Sequence, residues 1–145
     1  MRVVVQRVTR ASVTIEGRVV GTIEKGLLIF VGFTDTDTTD QVEWFAEKII
    51  GLRLFPDSEG KMNHSVMEAE GAALVVSQFT LYGDVRKGRR PSFVKAASPE
   101  LALPLYEHFI EALARRGVRT EQGEFGAMMD VELINSGPVT FSIER

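Results

Sequence analysis

The chain has 145 residues, a formal charge of −3 and 26% charged residues, one domain's worth of chain whose charge balance excludes a wholly basic nucleic-acid binder. Any contact with RNA must therefore come from a local patch. With no cysteine and two histidines, disulfides, thiolate catalysis and cysteine-ligated zinc are excluded, and a histidine-rich metal site is not expected.

Val3–Val8 and Ala11–Glu16 read as two strands joined tightly at Thr9-Arg10. In the second, Val13 and Ile15 alternate with Ser12, Thr14 and Glu16, the period of a half-exposed sheet. The apolar stretch after Met1 is too short for a secretory signal, no apolar run reaches the ~18 residues of a spanning helix, and a cytoplasmic location is expected. Gly17 and Gly21 punctuate a short strand over Arg18–Ile23. Leu27–Val31, following Gly26, is apolar throughout, the mark of a central strand. Thr34–Asp40 supplies N-cap candidates and acids for a helix start. Val42, Phe45, Ala46 and Ile49 then fall on one helical face, with Gly51 as the stop and Trp44 as a packing residue. Leu52–Phe55 is a short strand candidate, Pro56–Gly60 a turn, and Lys61–Ser65 a loop exposing Asn63 and His64.

The run Leu74–Tyr82 organises the rest. It starts as a strand buried on both faces and carries Ser77, Gln78 and Thr80 towards the interior. Its backbone N–H groups suit a developing oxyanion at a strand end, but spacing alone favours polar side chains that serve neighbouring loops. Arg86–Lys95 then holds Arg86, Lys87, Arg89, Arg90 and Lys95 with no acid among them. With Phe93 inside it, this loop suits a phosphate backbone and a base, or is simply solvated. Ser98-Pro99-Glu100 opens a second helix with Leu101, Leu105, Phe109 and Leu113 along one face, widened by Ala102, Tyr106 and Ala112. Pro104 either kinks that helix or marks its true start. His108 reads as a surface residue, and Gly117 ends the helix. Val118–Gln122 is a short strand candidate and Gly123–Gly126 a turn. Met129, Val131 and Leu133 alternate, Asn135–Pro138 breaks the run, and Val139, Phe141 and Ile143 form a last strand.

The tally is a single α+β domain over residues 1–145, mostly antiparallel sheet with two amphipathic helices. No G-x-S-x-G elbow, H-E-x-x-H pair or Walker A pattern is present. Thr80 is a possible nucleophile, but neither histidine is placed to activate it. From the residues alone the reading ends at a domain with a basic loop, in which catalysis leans on backbone dipoles or on the substrate's own groups.

Several motifs together go further: Gln6-Arg7-Val8 with Ala11-Ser12-Val13, Gly60-Lys61-Met62-Asn63, Ser77-Gln78-Phe79-Thr80-Leu81-Tyr82, Gly88-Arg89-Arg90-Pro91-Ser92-Phe93, Phe125-Gly126-Ala127 and Gly137-Pro138-Val139-Thr140. Across its length the chain resembles the D-aminoacyl-tRNA deacylases. The resemblance implies a homodimer of barrel-like α+β subunits with the site at the subunit interface. It implies hydrolysis of the ester between a D-amino acid and the 3′ end of tRNA, and of glycine mischarged on tRNA for alanine. No cofactor, no metal, no membrane and no DNA enter that reading.

By the same resemblance, backbone N–H groups around Ser77, Gln78 and Phe79 hold the ester. Thr80 or the terminal ribose 2′-OH assists. Gly137-Pro138 is a cis peptide inserted into the partner's pocket, whose carbonyls leave no room for an L side chain. Arg7 and Met129 brace it, and Arg86, Lys87, Arg89, Arg90 and Lys95 contact tRNA. From the residues alone Gly137-Pro138 is an ordinary turn. Two departures bear on this: Ser136 stands where the family usually has Asp, and Pro104 is unusual in the second helix. Met128-Met129-Asp130 and Gly83-Asp84 also differ from the usual sequences. The rival readings are a catalytically silent RNA-binding or dimerisation module and an esterase using Thr80.

Overall fold

β1 (Arg2–Ile15) runs unbroken along the molecule, and everything else is placed by it. The computed structural model describes all 145 residues. The tight turn expected at Thr9-Arg10 is absent, because that polar pair marks a change of partner and not of direction. The first half of β1 pairs antiparallel with β3 (Gly26–Gly32), Arg2 opposite Gly32 and Val8 opposite Gly26. The second half pairs with β2 (Arg18–Ile23), Ala11 opposite Ile23. The other edge of β1 is covered antiparallel by a long strand near the C-terminus, Asp130–Glu144.

β3 continues parallel to a strand over Ala72–Ser77, which in turn pairs parallel with one over Arg119–Gln122. Between them in sequence lie helix α1 (Thr39–Gly51), a two-strand ribbon, β4 (Phe55–Pro56) and β5 (Met62–His64), and helix α2 (Pro99–Arg115). In chain order the remaining strands are β6 (Ala72–Ser77), β7 (Arg119–Gln122) and β8 (Asp130–Glu144). β2 lies back against β7 and β6, so the mixed sheet curls into a nearly closed barrel. The fold is α+β with two helices, as expected. No helix is long and apolar enough to cross a membrane.

β3 and β6 are buried on both faces because each serves two cores. Leu27, Ile29, Val31, Ala73 and Val75 face the helices, packing with Phe45, Ile49, Phe109 and Leu113. Leu28, Ala72, Leu74 and Val76 point the other way, into a smaller core with Val8, Ala11 and Val13. α1 follows its sequence closely. Thr38 and Gln41 form a capping box, and Val42, Phe45, Ala46 and Ile49 are the buried face. α2 starts at Pro99 and passes through Pro104. Pro104 is exposed, so the one hydrogen bond it removes lies on the solvent side. Leu101 falls outside the buried stripe, at 50% exposure. Glu43 of α1 knits the helices together, 2.7 Å from His108 Nε2, 2.5 Å from Arg115 Nη2 and 2.7 Å from Arg116 Nη2. These bonds, Arg116's first, hold its carboxyl down at about 2. His108 is thereby accounted for by helix pairing.

Three further segments depart from expectation. Lys61–Ser65 holds strand β5 instead of a loop. Asp57 builds the turn before it, accepting from Glu59 N at 2.8 Å, Lys61 N at 3.0 Å and Asn63 Nδ2 at 2.6 Å. Leu74–Tyr82 stops being a strand at Ser77 and becomes a 3-10 turn over Phe79–Tyr82. Its polar residues therefore leave the sheet instead of entering the core: Ser77 and Gln78 are half-buried and Thr80 is exposed. Asn135–Pro138 does not end a strand; it forms a bulge within β8.

Candidate active site

At the C-terminal end of β6 the chain leaves the sheet and opens a cavity of about 700 Å³. The turn beyond Ser77 is clamped from behind. Gln78 N–H donates to Val31 O at 2.7 Å, Arg2 Nη1 donates to Leu81 O at 2.9 Å, and Tyr82 is buried under the Arg2 guanidinium, 4.6 Å from its ring centroid. A 3-10 turn leaves its first N–H groups without acceptors, so Phe79 and Thr80 N–H are the free backbone donors here. Gln78 N–H, held by β3, is engaged. Gln78 Nε2 donates to Thr80 Oγ1, which fixes the Thr80 side chain against its neighbour.

Val76, Ser77, Gln78, Phe79 and Thr80 line one wall of the cavity; Phe33, Ala97 and Phe93 continue it, and Phe125–Met129 close the far side. Not one lining residue is Asp, Glu, His, Lys or Arg. Tyr106 ties the far side to β6: its buried hydroxyl donates to Val75 O at 3.0 Å, with Gly123 O at 3.4 Å sharing the same proton weakly, and burial pushes its phenol up. At the mouth, Phe79 and Phe93 meet edge to face with ring centroids 5.1 Å apart, and stay 55% and 38% exposed. Nowhere in the chain do three His, Cys, Asp or Glu residues gather as a metal site would need.

The basic loop leaves from the same turn. Asp84 and Ser92 close it with two backbone bonds, of 2.8 and 3.0 Å, and Thr34 Oγ1 donates to Lys95 O at 2.7 Å where it returns. Arg86 is folded back onto Asp84, its Nε 2.9 Å from Oδ1 and its Nη2 2.5 Å from Oδ2. That pairing holds the Asp84 carboxyl well below the usual carboxylate range. Lys87, Arg89 and Arg90 are exposed at the tip and Lys95 at the base, with no carboxylate in contact. Asp84 lies just outside the Arg86–Lys95 run, and an Asp before a turn is its loop-closing signal in the sequence.

The other motif lies elsewhere. Arg7 Nη1 donates to Leu54 O at 2.5 Å, its Nε to Ser136 O at 3.2 Å and its Nη2 to Gly137 O at 3.5 Å. Gly137 and Pro138 are exposed, joined by a cis peptide, and line no part of the cavity. Met129 belongs to the cavity wall, its sulfur packed against Gly123. Within one chain, then, Met129 sits with Ser77–Thr80, Arg7 sits with Gly137-Pro138, and the two groups do not meet.

Residues 4–144 match the family described as D-Tyr-tRNA(Tyr) deacylase. The chain belongs to this deacylase family. Similar proteins named D-aminoacyl-tRNA deacylase include one from Exiguobacterium sibiricum, 57% identical over 145 residues with both chains wholly covered. Another, from Desulfatibacillum aliphaticivorans, is 59% identical over 144 residues, 99% of each chain. Among solved structures, one titled c-Myc DNA Unwinding Element Binding Protein is 42% identical, with a TM-score of 0.92 over 100% of this chain and 99% of that one. A probable eukaryotic D-amino acid tRNA deacylase, 20% identical, shares the fold at a TM-score of 0.85, covering 98% of this chain and 97% of its own. Of the motifs quoted from the sequence, Ser77–Tyr82 falls at the end of β6 and Gly137–Thr140 at the bulge of β8, while Gly60–Asn63 lies apart in the β4–β5 ribbon.

Proposed function

We propose that the chain hydrolyses the ester of D-aminoacyl-tRNA, in a site that a second copy of the chain completes. The observation that carries this is a cavity with free backbone donors and no ionisable side chain. Such a site cannot supply a general base, so it suits a substrate that brings its own hydroxyl. The terminal ribose offers the 2′-OH beside the ester. Water adds to the carbonyl carbon, and the oxyanion forms against Phe79 and Thr80 N–H. The bond to O3′ breaks, and the proton lost by the water passes through the 2′-OH to O3′. The products are the free amino acid and tRNA ending in a 3′ hydroxyl.

Chirality is read by the Gly137 carbonyl of the second copy, which Arg7 of that copy holds from behind. A carbonyl placed against the amino-acid Cα rejects an L side chain by clash and asks nothing of the D side chain. Glycine, with no side chain, passes the same filter, so glycine on tRNA for alanine is a substrate too. Lys87, Arg89, Arg90 and Lys95 meet acceptor-stem phosphates, and the working place is the cytoplasm, where charged tRNA is found.

Deacylation of D-Tyr-tRNA and L-Tyr-tRNA, measured side by side with a chelator present, tests this. Rapid loss of the D ester alone is expected. Loss of both at one rate removes the chiral filter, and tRNA binding without cleavage turns the reading to an RNA-binding module. Thr80→Val sharpens the chemistry, since it deletes the hydroxyl and keeps the N–H. Turnover within about 3-fold of the parent is expected, against a loss of ~10³-fold or more for a true nucleophile.

A further inference from the structure

Between two pairs of the β1–β8 ladder the strands advance unequally. Gln6 faces Thr140 and Val8 faces Asn135, so all of 136–139 lies opposite Arg7 alone. A bulge of that size forfeits ladder hydrogen bonds and opens the two strands. The Asn135 side chain spans the opening. Its Nδ2 donates to Arg7 O at 2.9 Å, across on β1, and to Val139 O at 3.1 Å, where β8 resumes. Both neighbours are carbonyl oxygens, which accept only, so the amide nitrogen and not the oxygen must face them. Asn135 Oδ1 is left turned towards Gly137; a Cβ built there would lie 3.8 Å from it.

We propose that Asn135 is a positioning residue for the chiral filter. One amide shuts the base of the bulge from inside while the Arg7 guanidinium holds Ser136 O and Gly137 O from outside. Neither contact suffices alone: Arg7 reaches Gly137 O at 3.5 Å, a long bond that cannot fix a carbonyl if the loop beneath it is free to shift. The residue works only with the β1 backbone, so it fixes where Gly137 stands relative to its own subunit. This rests on the deacylase reading for its consequence, but not for its geometry.

Two variants test it. Asn135→Ala removes the bridge; Asn135→Asp keeps its shape and sets carboxylate oxygens against two carbonyls. In both, the ratio of D-Tyr-tRNA to L-Tyr-tRNA hydrolysis is expected to fall about 10-fold, the scale of two lost hydrogen bonds. Amide hydrogen exchange at Gly137 and Val139 should quicken by a similar factor while α1, α2 and β6 keep their protection. Unchanged exchange at those two amides overturns the positioning role whatever the activity. Quickened exchange with D and L rates falling in parallel also overturns it, because Asn135 would then serve the fold alone. A parent enzyme that cleaves neither ester removes the deacylase reading, and the exchange experiment still decides for Asn135.

Discussion

Gly137→Ala should reduce hydrolysis of a D-aminoacyl ester by ~100-fold or more while leaving the chain folded. The two halves of that result come from one observation. A Cβ at 137 meets nothing of its own chain closer than Asn135 Oδ1 at 3.8 Å, an ordinary contact, and the residue has no positive φ to forbid a side chain. Nothing inside the subunit asks for glycine here. If the requirement lies outside, a methyl group at 137 occupies the space of the substrate's Cα, and a displacement on the order of 1 Å there is enough for the expected loss. Stability should move by no more than ~0.5 kcal/mol, as for an exposed site with no special contact. Kinetics on the D ester and a thermal melt of the same preparation check both halves. Full activity would mean that Gly137 faces neither substrate nor partner.

Gly26→Ala makes the opposite demand. Its built Cβ lies 1.9 Å from Ala72 O, with Ala72 C and N both at 2.8 Å, all of them backbone of the neighbouring strand. Gly26 opens β3 where it starts to pair with β6, and both strands are buried on two faces. Neither can back away without opening two cores at once. A loss of about 3 kcal/mol or more is expected, a fall in Tm on the order of 10 °C. Since β6 carries the Ser77 turn, whatever folded protein remains should also be slower. A melting curve superimposable on the parent's would show that β3 and β6 are less tightly apposed than described.

Local elements with strong internal signals could be read from the residues. The Val42–Ile49 stripe and the Gly51 stop place α1 closely, and Thr34–Asp40 offers N-cap candidates, among which the structure selects Thr38 with Gln41. The buried strands Leu27–Val31 and Leu74–Val76 were equally plain. Three of the departures share a cause. Thr9-Arg10 looked like a turn because polar residues interrupt a strand pattern in the same way whether the chain reverses or changes neighbour. Phe79, Leu81 and Tyr82 prolonged an apolar run that had already become a turn, since periodicity cannot tell an extended residue from a 3-10 one over so short a span. Asn135 read as a breaker, and it is the residue that keeps β8 together across its bulge. The candidate site is legible mainly through family resemblance. Of the backbone donors around Ser77–Phe79 that it implied, Gln78 N–H is engaged by Val31 O, and the turn leaves Thr80 N–H free beside Phe79 N–H. That Met129 stands with one motif and Arg7 with the other is a three-dimensional fact with no counterpart in spacing.

The free donors at Phe79 and Thr80 belong to the main chain, and no codon change short of proline deletes a main-chain N–H. An alanine scan across Ser77–Thr80 would therefore leave the proposed reacting groups in place at every step. Losses are expected instead from alanine at Arg2 or Tyr82, which do not line the cavity and grip the back of the turn. Such a centre tolerates drift in the side chains around it and is vulnerable through the shape of its backbone.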